Sequence, residues 1–445
     1  MRARLARGIF AVGYSKAVHA LVQLALIPVL ANAWGLQVYG QWLVFASIPI
    51  FLAAADFGFG TVAGNRMVGE IAIDAPEEAR MTFQSALVMV LSGAVLISLG
   101  CLCVAMLAPD SLMVIDNGMS GREARRVLGF FGIYAAMIVL MPLLVGSAKA
   151  EGRLAGATAI MATCYLVESI AVILLAGSGY SPLYAAGAMM ILRTFGIALL
   201  AIWVNGFASW LRFGFSNASK RRIAELWRPS LAAMLLPISQ AGYLQGIAIA
   251  AGAVAGTAVI PVYAAMRTIS RLPAQLLAPL AIPLMPEFAA ARARGDTRRS
   301  SSISGGLLVA SLAVGITGAT VVGFGGSQIL EVWTSGAIDA PQAMIAAFGV
   351  LVLCQCLWAP VSDLLLAINR HEIYTAVYAA SAALSLALTF PLVHALGITG
   401  AALAGLLLEA VMVLAVGYSI QRWAGPVMLN PVSLGQSLSG RGHDR

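Results

Sequence analysis

Two arginines lie one helical turn apart in an otherwise apolar segment, residues 262–288. Arg267 and Arg271 are spaced i, i+4, so a helix would place both guanidinium groups on one face. An arginine at the centre of a membrane helix costs about 2.5–3.5 kcal/mol on insertion scales, so two on one face require a compensating group. Because like charges repel each other, an anion held between them explains this pair better than packing does.

Further polar side chains interrupt other apolar runs. Lys16, His19 and Gln23 follow the spacing i, i+3, i+7 and predict a polar stripe that faces a wet interior rather than lipid. Four Lys or Arg side chains and two histidines lie within the spans, too many to be hidden as mutual pairs alone, so we predict a polar cavity that leans cationic. The predicted substrate-binding residues are Arg267, Arg271, Lys16, Arg193, His19, Gln23, Gln240 and Tyr243, and the predicted coupling or charge-balancing residues are Asp56, Glu168 and Glu409.

A purely structural role is the alternative for every one of these charges. Buried ion pairs can fix helix packing without contacting a substrate. Arg193 and Glu409 occupy equivalent depths in two repeated spans, and we expect them to act separately rather than as a pair. The three candidate structural pairs are Arg267 with Asp56, Lys16 with Glu409, and Arg193 with Glu168.

The elements that must position these residues are membrane helices. Sixty per cent of the residues are hydrophobic and only 10% are charged, whereas about 25% of an ordinary soluble domain is charged. Apolar runs long enough to span a bilayer recur along the whole chain, which predicts an all-α, polytopic membrane protein. The twelve predicted spans lie near 9–33, 39–65, 83–108, 127–148, 154–176, 182–205, 229–252, 257–285, 304–330, 342–367, 372–395 and 397–420.

The distribution of basic residues predicts the orientation. With the N-terminus in the cytoplasm, 20 of the 27 Lys and Arg residues fall in cytoplasmic segments and three fall in segments on the opposite side of the membrane. The remaining four lie within the spans. The positive-inside rule therefore predicts an even number of spans, with both the N-terminus and the C-terminus in the cytoplasm. The same placement at membrane edges argues against nucleic acid as a partner.

Two features of the sequence have simple expected roles. MRARLAR and the apolar run behind it could form a cleaved signal peptide, but the run is longer than a signal core and contains Lys16, which favours a first membrane helix. All five cysteines lie in apolar spans without the His or carboxylate neighbours of a metal site. We expect the cysteines to be packing residues, and we expect neither a metal nor a cofactor.

Weak internal similarity predicts two six-helix halves. Residues 15–19 resemble residues 239–243 at an offset of 224, and Tyr39 and Tyr263 share that offset. Residues 150–153, before the fifth span, also resemble residues 367–370, before the eleventh. The predicted divisions are an N-terminal half at 1–220, a C-terminal half at 221–425 and a tail at 426–445. Transporters with such halves bind substrate between them and rock one against the other.

Several of these segments resemble the multidrug/oligosaccharidyl-lipid/polysaccharide (MOP) exporters, which have the MATE-like fold. The run from Val262 to Pro273, followed by Pro283-Leu284-Met285-Pro286 and a basic loop ending at Gly295-Asp296, is similar to their eighth helix. Within the superfamily the closest resemblance is to the polysaccharide flippases. It rests on residues 35–40, the turn at 55–60 closed by Asn65-Arg66, and residues 396–402.

The resemblance implies a flippase of the bacterial inner membrane. Its expected substrate is a polyprenyl diphosphate that carries an oligosaccharide, used for O-antigen, exopolysaccharide or capsule synthesis. In this family an arginine of the eighth helix lines the central cavity, and the resemblance implies that role for Arg267 only. A polysaccharide polymerase and a chain-length regulator are further expected partners. Each guanidinium group can bind two phosphate oxygens at once, which suits a diphosphate head group.

Two other functions remain open at this point. A cation-coupled multidrug exporter of the same fold would need acids in its cavity, and the first and seventh spans carry none. A membrane glycosyltransferase or polymer ligase would need acid/base residues on a sizeable outer loop, but the longest outer segment offers only Asp110, Asp116 and Glu123. We therefore expect a protein that is not an enzyme.

Overall fold

The computed structural model describes residues 2–54, 58–109, 118–368, 370 and 372–424, and within these ranges it is helical, with no strand. This confirms the predicted all-α architecture. A π-helical turn, Gly242–Gly246, joins two of the α-helices. In chain order the α-helices are α1 (Arg2–Ala54), α2 (Phe59–Ala72), α3 (Pro76–Leu107), α4 (Gly121–Ala150), α5 (Leu154–Gly177), α6 (Pro182–Asn205), α7 (Lys220–Ala241), α8 (Ile247–Ala255), α9 (Val259–Ala293), α10 (Thr297–Thr334), α11 (Gln342–Ala367), α12 (Glu372–Leu396) and α13 (Ile398–Ala424).

Eleven helices of the described ranges are long and apolar enough to cross a membrane, as expected for a multi-pass membrane protein. The first of them, Phe10–Phe51, contains the first predicted span and part of the second. Within α1 these two parts are separated at Gly35, whose φ of 73° and ψ of 163° are not helical. Glycine adopts positive φ without steric cost, so this residue can divide the helix.

Local sequence signals account for the helix boundaries. Ser120 begins α4 by accepting a hydrogen bond from the backbone N–H of Glu123 at 3.3 Å, and Asp296 caps α10 through Arg299 N–H at 2.9 Å. Such side chains replace the missing backbone acceptors of the first turn. Gly397, with φ of 61°, separates α12 from α13.

The chain forms two compact units, and the boundary between them follows α7. The first unit comprises Met1–Ala241 and Gly256–Pro261, and the second comprises Gly242–Ala255 and Val262–Arg445. The first unit thus extends further along the chain than the predicted N-terminal half, because it includes α7.

Small residues allow helices within each unit to approach closely. In the first unit, a Cβ added at Gly146 of α4 would lie only 2.6 Å from the Cα of Gly64 on α2. In the second, a Cβ at Gly349 of α11 would lie 3.1 Å from the Cα of Gly323 on α10. Close backbone approach at such residues is a general means of packing membrane helices.

Candidate functional site

The arginine pair lies on α9 in the second unit. Arg267 and Arg271 are both half-buried, and the i, i+4 spacing in this helix places them on one face. Arg271 has no hydrogen bond or ion pair with any residue that the structure describes. Four prolines lie inside the same helix, and the first, Pro273, packs tightly against Gly318 of α10. The charged face is therefore part of a helix that is fixed by packing on another face.

A buried carboxylate lies in the same unit. Glu409 of α13 is 1% exposed and accepts two hydrogen bonds, from the Tyr243 hydroxyl to Oε1 at 2.9 Å and from the Trp358 indole Nε1 to Oε2 at 2.5 Å. Tyr243 also lies 3.3 Å from the Gly405 carbonyl oxygen. Arg271 is near enough to Glu409 for an electrostatic interaction but is not in direct contact with it. Both carboxylate oxygens thus have neutral donors.

The first unit contains a buried ion pair. Arg193 of α6 donates from Nη2 to Glu168 Oε2 of α5 at 2.7 Å, and the two side chains are 6% and 1% exposed. The Tyr134 hydroxyl of α4 completes the cluster, at 3.0 Å from Arg193 Nη2 and 3.1 Å from Glu168 Oε2. One of the structural alternatives, the pair of Arg193 with Glu168, is therefore present. These contacts support a packing role for Arg193 and leave its predicted role in substrate binding without support.

The remaining predicted site residues have different surroundings. Lys16, His19 and Gln23 are exposed on α1, and the His19 ring stacks on Tyr165 at 4.5 Å between centroids. Gln240 is exposed at the end of α7. Tyr243 is buried, and its hydroxyl donates a hydrogen bond to Glu409 instead of facing a water-filled cavity. The predicted coupling residue Asp56 lies outside the described residues. Its predicted pairing with Arg267 therefore stays a prediction. A pair of Lys16 with Glu409 would join the two units and stays a prediction.

Solved structures with the same helical arrangement identify the fold. An inward-facing multidrug resistance MATE family transporter of the MOP superfamily matches with a TM-score of 0.70 at 15% identity, over 94% of this chain and 99% of that one. The outward-facing conformation of a MATE family transporter matches with a TM-score of 0.61 at 16% identity, over 98% and 96%. The chain has the MATE fold.

A third neighbour of this MATE-fold chain is a MOP superfamily transporter from Pyrococcus furiosus, described by the reverse polarity of its binding pocket. It matches with a TM-score of 0.63 at 16% identity, over 95% of each chain. Neither a protein-family model nor a curated protein sequence matches the chain. The similarity therefore establishes the fold, while the chemistry depends on this chain's own residues.

Outside its spans, the MATE-fold chain has an ion-pair network that the sequence reading missed. Arg222 of α7 is buried and pairs with Glu70 of α2 at 2.7 Å and with Glu78 of α3. Arg66 bonds Glu70 at 3.0 Å and Glu225 at 2.8 Å. Hydrogen bonds from Arg66, and next from Arg221, lower the pKa of the Glu225 carboxyl below its usual value. This network fixes α7 to α2 and α3 within the first unit.

Trp358 and Tyr134 were also missed, although the sequence carried a usable signal for both. Each is an aromatic residue with one polar atom, in the middle of an apolar run. A buried indole N–H or phenol O–H requires a hydrogen-bond partner, so such residues point to the few acids in neighbouring spans.

No group of three or more potential metal ligands occurs among the residues that the structure describes.

Proposed function

We propose that this protein is a transporter that moves a polyprenyl-diphosphate-linked oligosaccharide across the bacterial inner membrane by alternating access. The observation that carries the proposal is the arginine face of α9. Arg267 and Arg271 are half-buried in a membrane-spanning helix, and Glu409, the buried mid-span acid of the same unit, is hydrogen-bonded to Tyr243 and Trp358 instead. An external anion can compensate the charge of Arg271, which has no hydrogen bond or ion pair with any residue that the structure describes.

A diphosphate fits this face better than a single carboxylate does. Two guanidinium groups one turn apart offer two planar forks, and each fork can bind two phosphate oxygens. The charge of the diphosphate also matches two cationic side chains. The lipid tail can stay in the bilayer while the head group is bound. The arginine face would therefore recognise the diphosphate of the carrier lipid rather than the sugar.

Multidrug transport is the second candidate, because two of the structural neighbours are MATE family multidrug transporters. A cationic drug requires accessible acids. Glu168 and Glu409 are each 1% exposed, and their oxygens are engaged by Arg193 and Tyr134 or by Tyr243 and Trp358. The burial of these two acids favours the anionic substrate.

Ligand binding to the purified full-length protein in lipid nanodiscs tests the proposal. We expect farnesyl diphosphate, a short polyprenyl diphosphate, to bind, and Arg267→Ala and Arg271→Ala each to weaken binding at least about tenfold, because a charge-assisted hydrogen bond contributes about 1.5–3 kcal/mol. Arg267→Lys should recover only part of the loss, because lysine lacks the planar fork. Arg294→Ala, an exposed arginine just beyond α9, is the matched control. Equal affinity in all variants, or selective binding of cationic drugs, would contradict the proposal.

A further inference from the structure

The buried acids of the two units differ in their hydrogen-bond partners. In the first unit, the acid of the cluster contacts a permanently charged guanidinium group, Arg193, at 2.7 Å. In the second unit, the buried acid is Glu409, and its two hydrogen-bond donors, Tyr243 and Trp358, are neutral. The first cluster therefore has a fixed charge balance, whereas the charge of the second depends on whether Glu409 carries a proton.

The surroundings of Glu409 accommodate both protonation states. When the carboxylate is ionised, it accepts from Tyr243 O–H and from Trp358 N–H. When it is protonated on Oε1, its O–H can donate to the Tyr243 oxygen, and the tyrosine hydroxyl can turn to the Gly405 carbonyl 3.3 Å away. Trp358 N–H continues to donate to Oε2 in either state. A buried group whose partners are satisfied in both states can exchange a proton without repacking.

The same donors argue against a metal cation at this position. An indole N–H can only donate a hydrogen bond, so it occupies Oε2 without offering a ligand to a cation. The described residues hold no cluster of metal ligands here. The other titratable or charged groups that act on Glu409 or on its hydrogen-bond partners are Tyr243 and Tyr263, Tyr378 of α12, Cys354 and Cys356 of α11, and Arg271 of α9.

We infer that Glu409 is a proton-binding site whose charge is linked to anion binding at Arg271. Ionised Glu409 attracts Arg271 electrostatically and so weakens the hold of this arginine on an external anion. Protonation of Glu409 removes that competition. By thermodynamic linkage, a bound anion then raises the proton affinity of Glu409 by the same factor as a bound proton raises the anion affinity of the site. The unit can thereby exchange one negative charge for another as the substrate enters, which limits the net charge held within the membrane.

The proton-binding part of the inference needs no substrate, so it can be tested on the full-length protein alone. Infrared difference spectra of the protein in nanodiscs, titrated between about pH 5 and pH 9 to cover the range of buried carboxyl groups, should contain a carboxylic-acid C=O band that titrates. Glu409→Gln should remove this band, and Glu331→Gln, an exposed acid of the same unit, should retain it. Tyr243→Phe should shift the midpoint while preserving ring packing. A spectrum in which no titrating band depends on Glu409 overturns the inference.

The linkage to the anion rests on the proposed function and is tested separately with farnesyl diphosphate. The affinity of the wild type relative to that of Glu409→Gln should fall as pH rises, by about 5-fold or more, the usual size of coupling between sites. The comparison cancels ionisation of the probe itself, since both proteins bind the same ligand. A constant ratio overturns the linkage. Absence of binding in both proteins would instead contradict the proposed function, and the infrared titration would still decide the proton site.

Discussion

The ion pair of the first unit offers the strongest test of how charges are used inside this molecule. Replacing Arg193 with Met leaves the Glu168 carboxyl buried without its partner. Replacing Glu168 with Leu likewise leaves the guanidinium group of Arg193 buried without its acid. With exposed fractions of 6% and 1%, neither charge can reach water. Breaking one side of a buried ion pair costs about 3–5 kcal/mol, so we expect each single variant to lose that much stability.

The double variant should be less damaged than either single one. Arg193→Met combined with Glu168→Leu removes both charges, and apolar replacement of a whole buried pair is often neutral. The hydroxyl of Tyr134 then loses both partners, which costs about 1–3 kcal/mol. Adding Tyr134→Phe should recover most of this remaining loss, because the orphaned hydroxyl is gone.

Equilibrium unfolding of the purified variants in mixed micelles, with transport measured in proteoliposomes, is the assay. Arg299→Met is the matched control, because Arg299 and Glu287 form an exposed pair at 3.3 Å with exposed fractions of 50% and 43%. Such a pair contributes about 0–1 kcal/mol. If the double variant is as unstable and inactive as the worse single variant, the packing role is refuted and Arg193 acts on its own.

Three further results are expected. The lowered pKa of Glu225 in the folded protein means that its stabilising contribution is present above the unfolded pKa and is lost as pH falls through the folded value, so Glu225→Gln should reduce the acid sensitivity of thermal unfolding. Gly146→Ala should destabilise the protein because its Cβ would meet α2 backbone, whereas Gly129→Ala on the same helix has open space. Reporter fusions should be cytoplasmic after Gly295 and periplasmic near Gly336.

Each of these results has a clear opposite. An unchanged dependence of thermal unfolding on pH in Glu225→Gln would mean that the Arg66 contact does not stabilise the fold. Equal melting temperatures for Gly146→Ala and Gly129→Ala would contradict the close approach of α2 and α4. A periplasmic reporter after Gly295 would contradict the predicted orientation and the two-half arrangement.

The helices and their approximate limits were predictable because hydropathy is a property of long runs and needs no knowledge of neighbours. The predicted span at 182–205 corresponds to α6, Pro182–Asn205, because Pro182 favours a first helical turn and Gly206 follows the last. The predicted first two spans are likewise separated by only a few residues, and in the structure the non-helical Gly35 lies in that interval and divides α1.

Partners of the buried charges were less predictable, because periodicity shows a helix face without showing which helix lies opposite. Arg193 and Glu409 looked equivalent by repeat position, yet one forms an ion pair and the other accepts only neutral hydrogen bonds. Their difference arises from residues on other spans, Glu168 and Trp358. A pattern within one span contains no information about those residues.

The central claim is that α9 presents an arginine face to an anionic lipid-linked substrate, and transport tests it most directly. Proteoliposomes that contain the purified protein should move a fluorescent polyprenyl-diphosphate disaccharide between leaflets, detected by loss of accessibility to an impermeant reagent. Arg267→Ala should reduce this rate to near that of protein-free liposomes, while Arg294→Ala should match the wild type. Unaltered transport by Arg267→Ala, or transport of cationic drugs but not of the lipid-linked sugar, would contradict the claim.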